Sequence, residues 1–283
     1  MPSLTVPPLA GRRVVVTRTR SQAPDLTDRL VRLGATVVEL PVISIDDPID
    51  GGEALARAAH RLCSGAYQWV AFTSSNAVSR LLDVLSPDAV PSTVQWAAVG
   101  QGTARTLTEG GIAPDLVATV SVSEALADEF PAVDPLKPDG SAGRSDGIGT
   151  VLFPRAETVR GALATGLRAK GWLVDEVIAY RTVAAHPDPS AIASAGMADA
   201  VVFTSSSTVE RTIEVLGHDG IPPVVVTIGP VTSSSARASG LHVTGEANPH
   251  TMDGVVDALV VALAGRTRDD PLRNDQMRQQ QQQ

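Results

Sequence analysis

The chain is poor in aromatic residues, lysine and cysteine, and each shortage excludes something. Aromatics make up 3% of its 283 residues, so its cores must be filled by Val, Leu, Ile and Ala. Lys137 and Lys170 are its two lysines and the formal net charge is −8; this balance argues against non-specific nucleic-acid binding through a broad basic surface. The lone Cys63 cannot form an internal disulfide, which fits a reducing cytoplasm. Its setting, "AHRLCSGAYQWV", is that of a helix end, and the thiol is expected to be structural. No apolar run approaches the roughly 20 residues that cross a bilayer. The opening "MPSLTVPPLAG" has neither the charged nor the apolar region of a signal peptide. A cytoplasmic chain with no membrane partner is expected.

With 43% hydrophobic and 19% charged residues, the composition is that of an ordinary globular protein, and its length predicts two domains. The chain is also written twice. "RVVVTRTRSQAPDLTDRLVRLGATVVELPVISI" (13–45) and "TVLFPRAETVRGALATGLRAKGWLVDEVIAYRTV" (150–183) each hold an aliphatic strand, an arginine at its end (Arg18, Arg155), an amphipathic helix, a glycine stop (Gly34, Gly171) and a second strand. "YQWVAFTSSNAVSRLLDVL" (67–85) then pairs with "ADAVVFTSSSTVERTIEVLG" (198–217), and "VQWAAVGQGTARTLTEGG" (94–111) with "VVVTIGPVTSSSARASG" (224–240). Short apolar strands alternating with helical stretches predict βαβ units around mainly parallel sheets, hence two doubly wound α/β domains.

In such sheets ligands bind beyond the carboxyl ends of the strands, where helices present unpaired N–H groups. "FTSS" falls at that location in both halves. Ser74, Ser75, Ser205 and Ser206 could serve only as helix caps, each stabilising by about 1 kcal/mol. Runs of hydroxyls in both halves exceed what capping needs, so a ligand-facing role is expected for at least one run. "VGQGT" (99–103) and "IGPVT" (228–232) repeat the arrangement with Gly100, Thr103, Gly229 and Thr232. Arg18 and Arg155, each ending a first strand, are suited to charge-assisted bonds with carboxylates, the alternative being a solvated arginine.

Other chemistries lack their motifs. "GQGTAR" has no third glycine and no acidic partner about 20 residues on, which argues against a dinucleotide, and there is no GxxxxGK[ST] loop. The five histidines, His60, His186, His218, His242 and His250, show no metal-ligand spacing, so no metal site is expected. Nor is there a G-x-S-x-G elbow, which makes the serines binders rather than nucleophiles.

Taken in order, "VVVTR", "ELPVISI", "FTSSNAV", "VGQGTA", "LFPRAE", "VDEVIAYRTV", "VFTSSSTV" and "IGPVTSSSARASG" resemble the uroporphyrinogen-III synthase family over about residues 12–265. The resemblance implies a cofactor-independent, metal-free lyase that cyclises hydroxymethylbilane to uroporphyrinogen III, inverting ring D and releasing water. Pattern would cut the chain at the 131–149 loop. The resemblance instead implies one domain of residues 1–43 plus 184–265, a second of 44–183, a two-stranded connection between them, and a disordered tail at 266–283.

It further implies that Tyr180 is catalytic, assisting loss of the hydroxyl, and that Arg18, Ser74, Ser75, Gly100, Thr103, Arg155, Ser205, Ser206, Gly229 and Thr232 bind the substrate's carboxylate arms from two sides. Relatives often carry two adjacent threonines where this chain has Val231 and Thr232. A monomer is expected, with hydroxymethylbilane handed over by hydroxymethylbilane synthase and no nucleic-acid partner. The competing reading is a non-catalytic two-domain tetrapyrrole or anion sensor, which a basic helix-turn-helix would mark; the residues after 265 carry none.

Overall fold

Runs of Val, Ala and Phe bounded by polar turns form the strands, and apolar stripes at helical spacing form the helices between them. The computed structural model describes residues 6–20, 22–133, 149–158, 161–264 and 266. Most of the expected 131–149 loop, and all but the first residue of the expected 266–283 tail, lie outside the described residues.

The chain begins with β1 (Arg13–Val16), α1 (Ala23–Arg32), β2 (Thr36–Glu39) and β3 (Ile43–Asp46). Next come α2 (Glu53–Cys63), β4 (Trp69–Phe72), α3 (Ser75–Leu82), β5 (Gln95–Ala98), α4 (Gln101–Glu109), β6 (Leu116–Val117), α5 (Ser123–Glu129) and β7 (Thr150–Ala156). The rest holds α6 (Ala162–Ala169), β8 (Leu173–Ala184), α7 (Pro189–Ala195), β9 (Ala200–Phe203), α8 (Ser206–Leu216), β10 (Val224–Thr227), α9 (Pro230–Ala238), β11 (Gly245–Glu246) and α10 (Met252–Leu263).

Local chemistry fixes the helix ends. α1 buries Ala23, Leu26 and Leu30, with Asp25 in its first turn and Arg29 and Arg32 in its last, charges that complement the helix dipole. It stops at Gly34, whose φ of +88° lies in the left-handed region that side chains resist. Gly171, at φ +92°, ends α6 in the same way.

Five parallel strands form one sheet in the order β11-β10-β9-β1-β2. The other runs β3-β8-β7-β4-β5-β6, with β4, β5, β6, β7 and β8 parallel. Helices cover both faces, so each sheet builds two cores from alternate residues. Val14, Val16, Ala200, Val202, Val224 and Val226 pack on one face of the first sheet, whereas Val15, Val201, Phe203 and Val225 pack on the other. In the second sheet Val70, Phe72, Trp96 and Leu152 oppose Trp69, Ala71, Val151 and Phe153 in the same way. Each fully buried Val or Phe contributes about 1.5–3 kcal/mol of transfer free energy.

Contacts divide the chain into two units, one of residues up to Ser44 with those from Val183 onward, the other Ile45–Thr182. The chain passes between them within β3 and β8. Neither unit is one copy of the repeat. β1 and β2 of the first copy share a sheet with β9, β10 and β11 of the second, while β7 and β8 of the second sit beside β4, β5 and β6 of the first. Strand order reverses between β1 and β9 in one sheet and between β4 and β7 in the other, which opens a crevice at the carboxyl ends of each pair. No described helix is long and apolar enough to cross a membrane.

Candidate functional site

Of the residues singled out from sequence, Arg18, Ser205, Ser206, Gly229 and Thr232 follow β1, β9 and β10 in one sheet; Ser74, Ser75, Gly100 and Thr103 follow β4 and β5 in the other, with Arg155 in β7 and Tyr180 in β8. In the first unit Thr17, fully buried at the end of β1, donates its hydroxyl to the Val202 carbonyl of β9 at 3.1 Å, tying the reversal together. Arg18 follows. Its Nη1 donates to Met252 Sδ at 2.8 Å, and its Nε is buried with no partner. Burial pulls its pKa below the usual arginine value, opposed by the nearby Asp25 carboxylate, yet a guanidinium stays charged at neutral pH. A thioether is a weak acceptor for such a cation, so the site is suited to a carboxylate.

Ser205 occupies the cap position of α8, but its side chain makes no cap bond. It pairs instead with Ser207 Oγ at 3.0 Å. Ser206 Oγ reaches the Val231 carbonyl at 3.4 Å, joining the start of α8 to the start of α9. Gly229 caps α9, and Thr232 lies in its first turn.

The second unit uses the same sequence differently. Ser74 Oγ accepts from the Ala77 N–H at 3.3 Å, a true cap of α3, and lies 2.9 Å from Tyr180 Oη. Tyr180 is 6% exposed. The β7–β8 register pairs Arg155 with Ile178 but Ala156 with Tyr180; the shift brings Tyr180 into the core that also holds Val177 and Ala179. Such irregularities re-aim a side chain. Ser75 begins α3, Gly100 caps α4, and Thr103 lies in the first turn of α4.

Arg155 differs from Arg18. Its Nη1 donates to the Ala156 and Glu157 carbonyls at 2.8 and 3.0 Å, and its Nε stands 2.9 Å from Glu176 Oε2 as an ion pair without a hydrogen bond. It is therefore held by its own unit.

Thr103 and Thr232 stand apart among the described buried polar side chains. Thr17, Thr208, Thr212, Thr227 and Ser233 are hydrogen-bonded, and Thr19 has a partner. Thr103 and Thr232, 6% and 5% exposed, have no side-chain partner among the described residues. Their hydroxyl oxygens are not themselves enclosed, since the buried side-chain polar atoms without a hydrogen-bond partner among the described residues are Arg18 Nε and Arg155 Nε; two free, accessible hydroxyls at repeat-related positions, each in the first turn of a helix, suit a ligand's oxygens.

A groove of about 1050 Å³ also lies in the second unit, lined by residues of α2 and β8 including Arg57, His60, Asp175 and Val177. Several of its polar groups are paired internally. Arg61 pairs with Asp175 at 2.6 Å, and Tyr67, its phenol pushed up by burial and by Asp175, donates to the same carboxylate. Among the described residues no group of three or more His, Cys, Asp or Glu side chains could hold a metal ion.

Sequence reasoning missed Met252, Ser121 and His250. Met252 carries no motif. Ser121 and His250 were findable, because they stand 129 residues apart, as Gly100 and Gly229 do, and each lies against its glycine.

The family model described as uroporphyrinogen-III synthase HemD matches residues 24–257. A uroporphyrinogen-III synthase of Synechococcus elongatus is 30% identical over 272 residues, covering 89% of this chain and 96% of that protein. A porphyrin biosynthesis protein HemD of Ruminiclostridium josui is 27% identical over 93% of this chain and 51% of its own length. In fold the chain is similar to a mutant uroporphyrinogen III synthase of Thermus thermophilus, with a TM-score of 0.58, 20% identity, and coverage of 90% of this chain and 100% of that one.

Proposed function

The chain belongs to the uroporphyrinogen-III synthase family, and we propose that Tyr180 and the carboxyl-end turns of its two sheets carry that family's reaction. The enzyme is a lyase of tetrapyrrole biosynthesis that cyclises hydroxymethylbilane. The observation that carries the assignment to Tyr180 is its 2.9 Å contact with Ser74 Oγ at the N-terminus of α3.

Loss of the substrate's hydroxyl breaks a C–O bond, and the oxygen must gain a proton to leave as water. Ser74 Oγ accepts from the Ala77 N–H and can donate its own proton to Tyr180 Oη. That order leaves the phenol O–H free to donate to the departing oxygen, and bonds in such a chain polarise one another. The positive end of α3 favours negative charge building on the phenol oxygen. Phenols are weak acids at neutral pH, so positioning contributes more than acid strength.

Arg18, with an unpartnered buried Nε, is the prime receptor for a carboxylate arm in its unit. Thr103 and Thr232, with the N–H groups that open α4 and α9, receive others; Ser75, Ser205 and Ser206 line the neighbouring turns. An exposed helix-end contact is worth only about 0.3–1 kcal/mol, so several must act together on a substrate bearing many carboxylates. Arg155 contributes by holding the end of β7 beside Tyr180. We further propose a cytoplasmic monomer that receives hydroxymethylbilane from hydroxymethylbilane synthase.

The test supplies freshly generated hydroxymethylbilane to the purified protein and separates the oxidised uroporphyrin isomers. Protein-dependent type III product is expected. Type I alone, the product of spontaneous closure, from a correctly folded protein would overturn the reading.

A further inference from the structure

Gly100 and Gly229 both have extended backbones, at φ −177° and 175°, which any residue adopts. Their lack of a side chain therefore serves space. A Cβ on Gly229 would come within 3.2 Å of His250 Nδ1 and 3.3 Å of its Cγ, and a Cβ on Gly100 would run into Ser121 Oγ. Each polar side chain comes from the turn after the last strand of its sheet, β11 or β6, and lies against the glycine that opens the neighbouring helix. In both helices the third residue is the unpartnered buried threonine, Thr232 or Thr103. His250 is exposed, and its ring makes no hydrogen bond or ion pair among the described residues.

We propose that His250 and Ser121 each form one wall of a carboxylate subsite in their own unit, at the N-termini of α9 and α4 respectively, and that His250 is a specificity-determining residue for the substrate. The proposal rests on the reading that these turns bind an acidic tetrapyrrole. Each subsite then joins the N–H groups of a helix start, a threonine hydroxyl in the first turn and a donor from the opposite loop. The imidazole offers an N–H donor on a longer arm than the serine hydroxyl, so the two subsites are not equivalent although the backbone around them is.

The experiment compares wild type with His250→Ala, His250→Gln, Gly229→Ala and the double variant Gly229→Ala/His250→Ala. Steady-state kinetics with hydroxymethylbilane is paired with fluorescence titration using uroporphyrin III as the octacarboxylate probe. His250→Ala is expected to raise KM and the probe's Kd about five- to tenfold, the share of one partly exposed charge-assisted bond, with kcat within about twofold as for a residue used alike in ground and transition states. His250→Gln, which keeps an N–H donor, should recover part of the loss. Gly229→Ala should raise KM in the wild-type background but add little in His250→Ala, because the added methyl acts by displacing the ring.

Wild-type KM and Kd in His250→Ala would overturn the inference while leaving the reaction intact. If wild type made no type III isomer yet bound the probe through His250, the reaction assignment would fail and the subsite would stand. No type III isomer together with no binding of the probe by wild type would remove both.

Discussion

Ser74 and Ser205 occupy equivalent positions in the repeat and both stand at a helix start after "FT", yet their removal should have unequal consequences. Ser74→Ala deletes the bond from the Ala77 N–H and the 2.9 Å partner of Tyr180 Oη. Loss of a cap costs about 1 kcal/mol. Loss of a partner for a largely buried hydroxyl adds about 0.5–1.5 kcal/mol, so Ser74→Ala should destabilise its unit by about 1.5–2.5 kcal/mol. Ser205 makes no cap bond, and its Ser207 partner is exposed, so Ser205→Ala should cost less than about 0.5 kcal/mol, the range of ordinary surface changes.

The two units can be followed separately. Trp69, Trp96 and Trp172, together with Tyr67 and Tyr180, all fall within Ile45–Thr182, so tryptophan fluorescence in a urea titration reports the unit that holds Ser74. Far-UV circular dichroism reports both units. A cycle with Tyr180→Phe isolates the hydroxyl pair and should return a coupling of about 0.5–1.5 kcal/mol. Equal losses from the two serine variants, or no coupling between Ser74 and Tyr180, would refute the reasoning.

Tyr180→Phe should lower turnover about tenfold or more, the low end of a positioned proton donor's effect or below it, with a loss of stability of about 0.5–1.5 kcal/mol in the fluorescence-detected transition, smaller than that of Ser74→Ala because Ser74 still caps α3. Gly254→Ala should destabilise the other unit by about 2–3 kcal/mol through overpacking, seen as an earlier dichroism midpoint, since its Cβ would run into the Pro249 carbonyl oxygen. The Asp50 carboxyl accepts from the Ala54 and Gly52 N–H groups at 2.8 and 3.0 Å, and these bonds hold its pKa below the usual carboxylate range. A depressed folded pKa stabilises above the unfolded value, about 3.9, and loses that contribution as pH falls through the folded one. Asp50→Asn should therefore weaken the protein at neutral pH and make progressively less difference below about pH 4, as read from urea midpoints across the acid range.

Much of the fold is legible in the sequence because periodicity is a local property. "RVVV", "WVAF", "AVVF" and "VVVT" are too short and too apolar for anything but strands buried on both faces, and Gly34 and Gly171 mark their helix ends. The exchange of strands between repeats is not local. Nothing in "VVELPVISI" says whether the next strand pairs beside it or in another sheet, so the halves read from pattern differ from the units in space. The site shows the same limit. "FTSS" predicts a helix start twice, but only one start has a tyrosine opposite it, 106 residues away, and a register shift in β8 puts it there. Arg18 and Arg155 look alike in sequence; Glu176 and two carbonyls occupy one of them, and a thioether touches the other.

These differences sort the site into what the duplication preserved and what it did not. Thr103 and Thr232, Gly100 and Gly229, and Ser75 and Ser206 recur in both copies, and all of them lie at helix starts suited to carboxylates. Tyr180 has no counterpart: 137 residues before it, the offset between Arg18 and Arg155, stands Ile43, which is 8% exposed in a core of its own unit. His250 and Ser121 hold corresponding positions in the two copies in the same unequal way. Features present twice suit a substrate whose acidic arms recur around several rings, because the same arm can be met by the same turn. Chemistry directed at one ring needs a group present once. Exchanging the roles by Ile43→Tyr with Tyr180→Phe should therefore not restore turnover, since Ile43 packs in the core that holds Val15 and Phe203 and Ser205, in its unit, makes no cap bond of the kind that Ser74 makes. Activity recovered in that double variant would mean that the two halves are chemically interchangeable, and that the inequality between Ser74 and Ser205 carries no catalytic weight.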